Sequence, residues 1–177
     1  MQLRATRLLA SALLASACGL AVGASKSTTF NVTATVASNC FINSASTMAF
    51  GTYNGTADID QSSSIVVRCS NSTPYGLGLD AGTGTGSTIA QRTMTSATAL
   101  GSTLNYNLFT NAVRTTVWEN PANAAAVATN QGGVGTGLGL PSSITHTVYG
   151  RLQNNATSQA AAPAADYTSA VTVTINY

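Results

Sequence analysis

Two alternating stretches, one near each end of the chain, constrain the fold most. Thr28 to Val36 reads T-T-F-N-V-T-A-T-V, with Phe30, Val32, Ala34 and Val36 on one face and Thr or Asn on the other. Val171 to Tyr177 reads V-T-V-T-I-N-Y, with Val171, Val173, Ile175 and Tyr177 sharing a face. Period-2 alternation is the pattern of a half-buried β-strand, because successive side chains leave a strand on opposite sides. Neither stretch contains a charge or a proline. Edge strands are usually blunted by such residues, so two unprotected strands suggest that pairing, with pairing between chains one way to achieve it, is part of the job.

The N-terminus reads as a secretory signal. Arg4 and Arg7 supply the positive start, Leu8 to Leu14 open an apolar run reaching Val22, and Val22-Gly23-Ala24 offers small residues for cleavage. We place the cut after Ala24, so residues 1–24 are removed and Ser25 leads the mature chain. One competing reading is lipidation at Cys18, which follows Leu14-Ala15-Ser16-Ala17; the leucine lies one position too far upstream for a good match. No later run is apolar and long enough to span a bilayer, so stable membrane insertion is not expected.

Removing the signal leaves five basic residues (Lys26, Arg68, Arg92, Arg114, Arg151) against five acidic ones (Asp58, Asp60, Asp80, Glu119, Asp166). The mature net charge is near zero. No basic stripe tracks a phosphate backbone, and nucleic acid is not an expected partner. Cys40 and Cys69 remain once Cys18 is gone, and an even count in an exported chain suggests a disulfide.

Between the end strands, alternating runs predict short strands at Met48-Ala49-Phe50, Ser64–Cys69, Tyr75–Asp80, Leu104–Thr110, Val113–Trp118 and Ser143–Leu152. Tyr53–Ser63, the glycine-rich Gly132–Gly139 and the Ala/Asn/Gln-rich Asn154–Ala165 read as loops, and Asn120–Gln131 as a loop or helical turn. Seven or eight short strands with turn signals and no helix longer than two turns favour a one-domain β-sandwich over an α/β architecture.

Motifs for chemistry are sparse. The glycines at 133, 135, 137 and 139 lack a G-x-G-x-x-G spacing and a following helix, so a nucleotide cradle is not expected. His146 is the sole histidine and lies inside an alternating strand, where packing is the simpler reading than a catalytic base or a metal ligand. Asp58 and Asp60 stand two apart in a polar stretch; two carboxylates alone make a poor calcium site, and five acids give no distinct glycosidase pair. Trp118 and the tyrosines could build a sugar platform or simply pack. Asn31, Asn54, Asn71 and Asn155 begin N-x-S/T triplets, which a chain rich in Asn, Ser and Thr produces by chance. We expect no catalysis and no cofactor.

In order and spacing, several segments together resemble the spore coat protein U domain family, which includes major subunits of archaic, Csu-type chaperone–usher pili. They are Cys40, Phe50-Gly51-Thr52-Tyr53, Ile65–Cys69, Thr73-Pro74-Tyr75 with Leu79–Gly82, Leu104–Phe109, Arg114–Trp118, Thr147–Arg151 and Val171–Tyr177. The resemblance implies an all-β fold, an incomplete immunoglobulin-like β-sandwich lacking its final strand. A periplasmic chaperone first lends a strand, and at the outer-membrane usher the N-terminal segment of the next copy replaces it.

On that pattern, residues 25–37 form the donor segment with Phe30, Val32, Ala34 and Val36 as plugs, and residues 38–177 the pilin domain. Val171, Val173, Ile175 and Tyr177 form the strand beside the gap, with none after it to fill the place. The chain has no room for the second domain of a tip adhesin, which favours a shaft subunit exported through the periplasm to the surface. Two other readings stand beside this one: a non-polymerising coat or matrix protein whose N-terminal strand completes its own sheet, and a secreted sugar-binding module or small hydrolase.

Overall fold

A computed structural model describes residues 23–120 and 131–177. It divides into two units, residues 1–35 and 36–177. The first unit, where described, is coil with no strand or helix. The expected strand at Thr28–Val36 is therefore corrected. Phe30, Val32 and Val36 are 84, 84 and 89% exposed. Alternation makes a segment competent to pair, but a strand needs a partner for its N–H and C=O groups. The signal residues 1–22 and most of the Asn120–Gln131 stretch lie outside the described residues.

The second unit holds eight strands among its described residues: β1 (Cys40–Ala45), β2 (Ile59–Cys69), β3 (Pro74–Leu79), β4 (Arg92–Thr95), β5 (Thr103–Phe109), β6 (Gly132–Val134), β7 (Ile144–Leu152) and β8 (Val173–Asn176). One helical turn, α1 (Ala156–Gln159), is capped by the Asn155 side chain accepting from Ser158 N. One sheet has the order β1-β2-β7-β5-β4, the other β6-β3-β8. All pairings between strands are antiparallel.

The longest pairing joins β2 to β7, from Ile59 opposite Leu152 to Val67 opposite Ile144. It buries His146, Val148, Gly150 and Leu152 from one face of β7, as the alternation predicts. Both sheets contribute to one core: Ile65, Val67, Tyr106, Leu108 and Val148 from the first, Tyr75, Leu77 and Leu79 from the second, with Trp118 between turns. Cys40 and Cys69 face each other across β1 and β2 and are disulfide-bonded. The chain is all-β with a single covalent cross-link, as the sequence implied.

Several local expectations change. The polar stretch Tyr53–Ser63 is not all loop, because β2 starts at Ile59 and its Asp, Gln and Ser residues lie along β7. Met48–Phe50 is not a strand. Val113–Trp118 keeps a single bridge, Val117 to Phe109. Gly132–Val134 is not loop but a short strand on β3, and Arg92–Thr95 is a strand that its weak alternation did not announce. The last stretch is a strand only over β8, with Thr168 bridging Thr95 before it.

Arg92 is fully buried on β4. Its Nε donates to Asp80 O (2.9 Å), one terminal nitrogen to Asn107 Oδ1 (2.7 Å), and the other to Leu79 O and Trp118 O (2.9 Å each). A buried cation is tolerable only with its donors satisfied. Here the guanidinium ties the end of β3 to β5 and to the Trp118 segment, and burial lowers its pKa.

Candidate functional site

One concavity of the second unit lies where the two sheets part. β1 pairs only with β2 and β8 only with β3, so each keeps an unpaired edge among the described residues. Where the chain leaves β1 and enters β8 lies an open groove of about 370 Å³. One wall is the continuation of β1, residues 45–50, with Met48 and Phe50; the other is 167–173, with Val171 and Val173. Ile65, Leu79, Met94, Tyr106, Leu108 and Val148 line its floor. These are core side chains of both sheets, and all but the half-buried Met94 are buried.

Local chemistry builds each wall. Residues 45–50 hold to β2 through Ser46, whose N–H donates to Ser64 O and whose hydroxyl accepts from Ser64 N (2.8 Å). Past that point the chain crosses β7 at Gly150, where a Cβ would lie 2.1 Å from the Met48 sulfur. A side chain there would have to displace the ends of Met48 and Phe50. Phe50 then meets Tyr106, ring centroids 6.1 Å apart, and burial raises the Tyr106 pKa.

The second wall is pinned at both ends. Asp166 accepts from Ser96 Oγ, Thr98 Oγ1 (2.8 Å) and the N–H groups of Ala97 and Thr98 (3.0 Å each). The Ser96 and Thr98 bonds bring its pKa down to about 2. Asp80 Oδ1 accepts from Thr172 N and Gly82 N, both at 2.9 Å.

Val171, Val173 and Ile175 pack against the core, while Tyr177 is 56% exposed. The first two line the groove; Ile175 and Tyr177 lie beyond its lining. Phe30, Val32 and Ala34 belong to the first unit. The groove floor and the Met48–Phe50 wall were missed as site residues. Their signal was present in the inward positions of the alternating strands, but nothing local says which inward residues a second sheet leaves uncovered.

The remaining candidates are structural. His146 is buried, its Nε2 2.7 Å from Tyr75 Oη, with the two rings edge to face. Trp118 is fully buried and donates from Nε1 to Leu77 O (3.1 Å), so it forms no exposed platform. Asp60 takes two bonds from Arg151 (2.7 and 2.8 Å) and pairs with Arg114 at 3.2 Å. The Arg151 bonds hold its carboxyl below the usual range. Asp58 pairs with Arg151 at 3.5 Å. These carboxylates are matched by arginines rather than arranged as cation ligands, and no cluster of potential metal ligands occurs among the described residues. No helix among them is long and apolar enough to cross a membrane.

One similar solved structure is a chain of the CsuC–CsuE chaperone–tip adhesion subunit pre-assembly complex from archaic chaperone–usher Csu pili of Acinetobacter baumannii. The match has a TM-score of 0.51 at 25% identity and covers 81% of this chain. This chain spans 40% of the length of that one. No curated protein matches. The model of the Spore Coat Protein U domain matches residues 26–174. With that match over most of its length, the chain belongs to the Spore Coat Protein U domain family.

Proposed function

We propose that this protein is a structural, non-catalytic subunit of a surface pilus assembled by strand donation. Residues 25–37 of one copy fill the groove of the next, with Phe30, Val32, Ala34 and Val36 as the plugs. The observation that carries this reading is a pair of complementary parts in one chain. A groove floored by core side chains lies between residues 45–50 and 167–173, and the alternating, uncharged stretch Thr28–Val36 belongs to no strand. Val171, Val173, Ile175 and Tyr177 form the acceptor strand, along whose outer edge the incoming segment pairs.

Burying Phe30 and two valines contributes roughly 1.5–3 kcal/mol each. Each main-chain hydrogen bond adds about 1 kcal/mol, against the cost of ordering the segment. The contact is head-to-tail, so it propagates as a filament instead of closing a ring.

An open groove with an apolar floor is an aggregation hazard before assembly. A periplasmic chaperone covers it in this reading, and an outer-membrane usher exchanges the chaperone for the next copy. The product is a pilus on the cell surface that supports attachment or biofilm. The likeness to a chain of a chaperone–subunit complex from Csu pili supports both the partner class and the destination.

The test is gel electrophoresis in SDS, with and without boiling, of surface-sheared material from cells expressing the full gene cluster. The wild type is expected to give a ladder that collapses on boiling. Deletion of residues 25–37, or Phe30→Asp with Val32→Asp, is expected to give monomer alone. A monomer band in every sample would overturn the reading.

A further inference from the structure

A chain that carries both a groove and the segment that fills it faces a competitor: the segment can cap its own groove. We propose that Ser70 is a positioning residue that suppresses this self-capping and so directs the segment to a second copy. The inference rests on the strand-donation reading above.

The geometry centres on residues 37–39, where β1 begins. Ser70 lies just past Cys69, opposite the residue before Cys40, and is buried. Its N–H donates to Asn39 O at 2.8 Å, prolonging the β1–β2 ladder by one residue. Its hydroxyl accepts from Asn39 N (3.1 Å) and lies within donating distance of Asn39 O (3.3 Å) and Ala37 O (3.4 Å). One serine thus holds the chain beside β2 up to Ala37.

The groove opens on the other edge of β1, along residues 45–50. Near Asn39 the end of β8 comes in close, with Tyr177 Oη 3.5 Å from Asn39 Oδ1. To reach its own groove, a segment ending at Val36 would have to reverse within residues 37–39 and run back antiparallel to β1. A reversal there requires turn dihedrals and strips Ala37 O and Asn39 N from Ser70. Holding these groups makes the reversal costly without touching the groove itself. Donation in trans needs no reversal and leaves every one of these bonds in place.

The test refolds the full mature chain alone at low concentration, as wild type, Ser70→Ala, Ser70→Thr, and a variant with two glycines inserted between Ala37 and Ser38. Size-exclusion chromatography and unboiled SDS gels measure the ratio of compact, heat-resistant monomer to multimer. A fluorescent peptide of residues 25–37 is titrated into each in parallel. Ser70→Ala is expected to raise the monomer-to-multimer ratio roughly fivefold, the effect of one lost hydrogen bond. Ser70→Thr restores the wild-type ratio, and the glycine insertion raises it by slack alone.

A general loss of folding would lower peptide capture and multimer together and would not be rescued by threonine, so it is distinguishable from self-capping. Peptide capture with unchanged ratios in both Ser70→Ala and the insertion overturns the role of Ser70 and leaves strand donation standing. Failure of every variant, wild type included, to take up the peptide overturns strand donation and the Ser70 proposal with it.

Discussion

The sulfur of Met48 occupies the space that a side chain on Gly150 would need. A Cβ at Gly150 would sit 2.1 Å from it and 3.1 Å from the Phe50 ring. The relationship couples the central strand β7 to the groove wall, since Met48 and Phe50 both line the groove. Gly150→Val is therefore expected to push the 47–50 segment outward. Overpacking of this kind costs about 1–3 kcal/mol. Urea unfolding should show the lowered midpoint, and uptake of the 25–37 peptide should weaken in the same variant.

The disulfide joins the start of β1, the strand that leads into this wall, to the end of β2. Cys40 and Cys69 are 29 residues apart, and closing a loop of that size stabilises by about 3–4 kcal/mol in the chain-entropy model. Cys40→Ser with Cys69→Ser, or reduction of the wild type, is expected to lower the urea midpoint accordingly. Groove occupancy should fall further than global stability does, because β1 is an edge strand paired on one side only. Comparing peptide binding before and after reduction, at a denaturant concentration where both forms stay folded, checks this.

Arg92→Met keeps an unbranched apolar stem and removes the donors. It strands the carbonyls of Leu79, Asp80 and Trp118, which the guanidinium now satisfies. Buried acceptors left without donors cost about 1–3 kcal/mol each, and partial relaxation makes roughly 3–5 kcal/mol a reasonable total. Thermal and urea unfolding both report it. A loss under 1 kcal/mol would mean that water replaces the guanidinium.

Asp166 supplies a pH dependence of definite sign. Its pKa falls from 3.8 to about 2, chiefly through the Ser96 and Thr98 hydroxyls. The folded state therefore favours the ionised form. That stabilisation is complete above the unfolded carboxylate range and fades as pH drops from about 4 through about 2. Asp166→Asn should flatten the stability profile within that window and leave it unchanged in shape near neutrality. The readout is the urea midpoint measured at half-unit steps of pH. Because Asp166 pins the approach to the second groove wall, acid should also loosen peptide uptake in the wild type more than in the variant.

How much of this was legible in advance differs from element to element. Leu104–Thr110 and Ser143–Leu152 read correctly because their apolar side chains alternate and one face meets the core. Cys40 and Cys69 read correctly because an exported chain with two cysteines has one way to pair them. Arg92–Thr95 was silent, since a four-residue edge strand reading Arg-Thr-Met-Thr, with one apolar residue, shows no clear apolar face. The start of β2 was hidden by its polar residues, which are held by ladder bonds to β7 and by ion pairs such as Asp60 with Arg151 rather than by burial.

Phe30 to Val36 and Val171 to Tyr177 carry the same pattern and have different fates. Alternation alone makes both able to pair, because it depends only on the two-residue period of extended backbone. The all-β class and the cross-link likewise follow from the residues alone. That residues 173–176 pair with β3 while residues 28–36 form no strand, among the residues described, follows from long-range contacts alone. Only the packing of one sheet against the other sets which core side chains, such as Leu79 and Val148, line the groove. Hydrogen-bond pairing is satisfied between strands and apolar burial between sheets. Both are relations among distant segments, and no local stretch of sequence contains them.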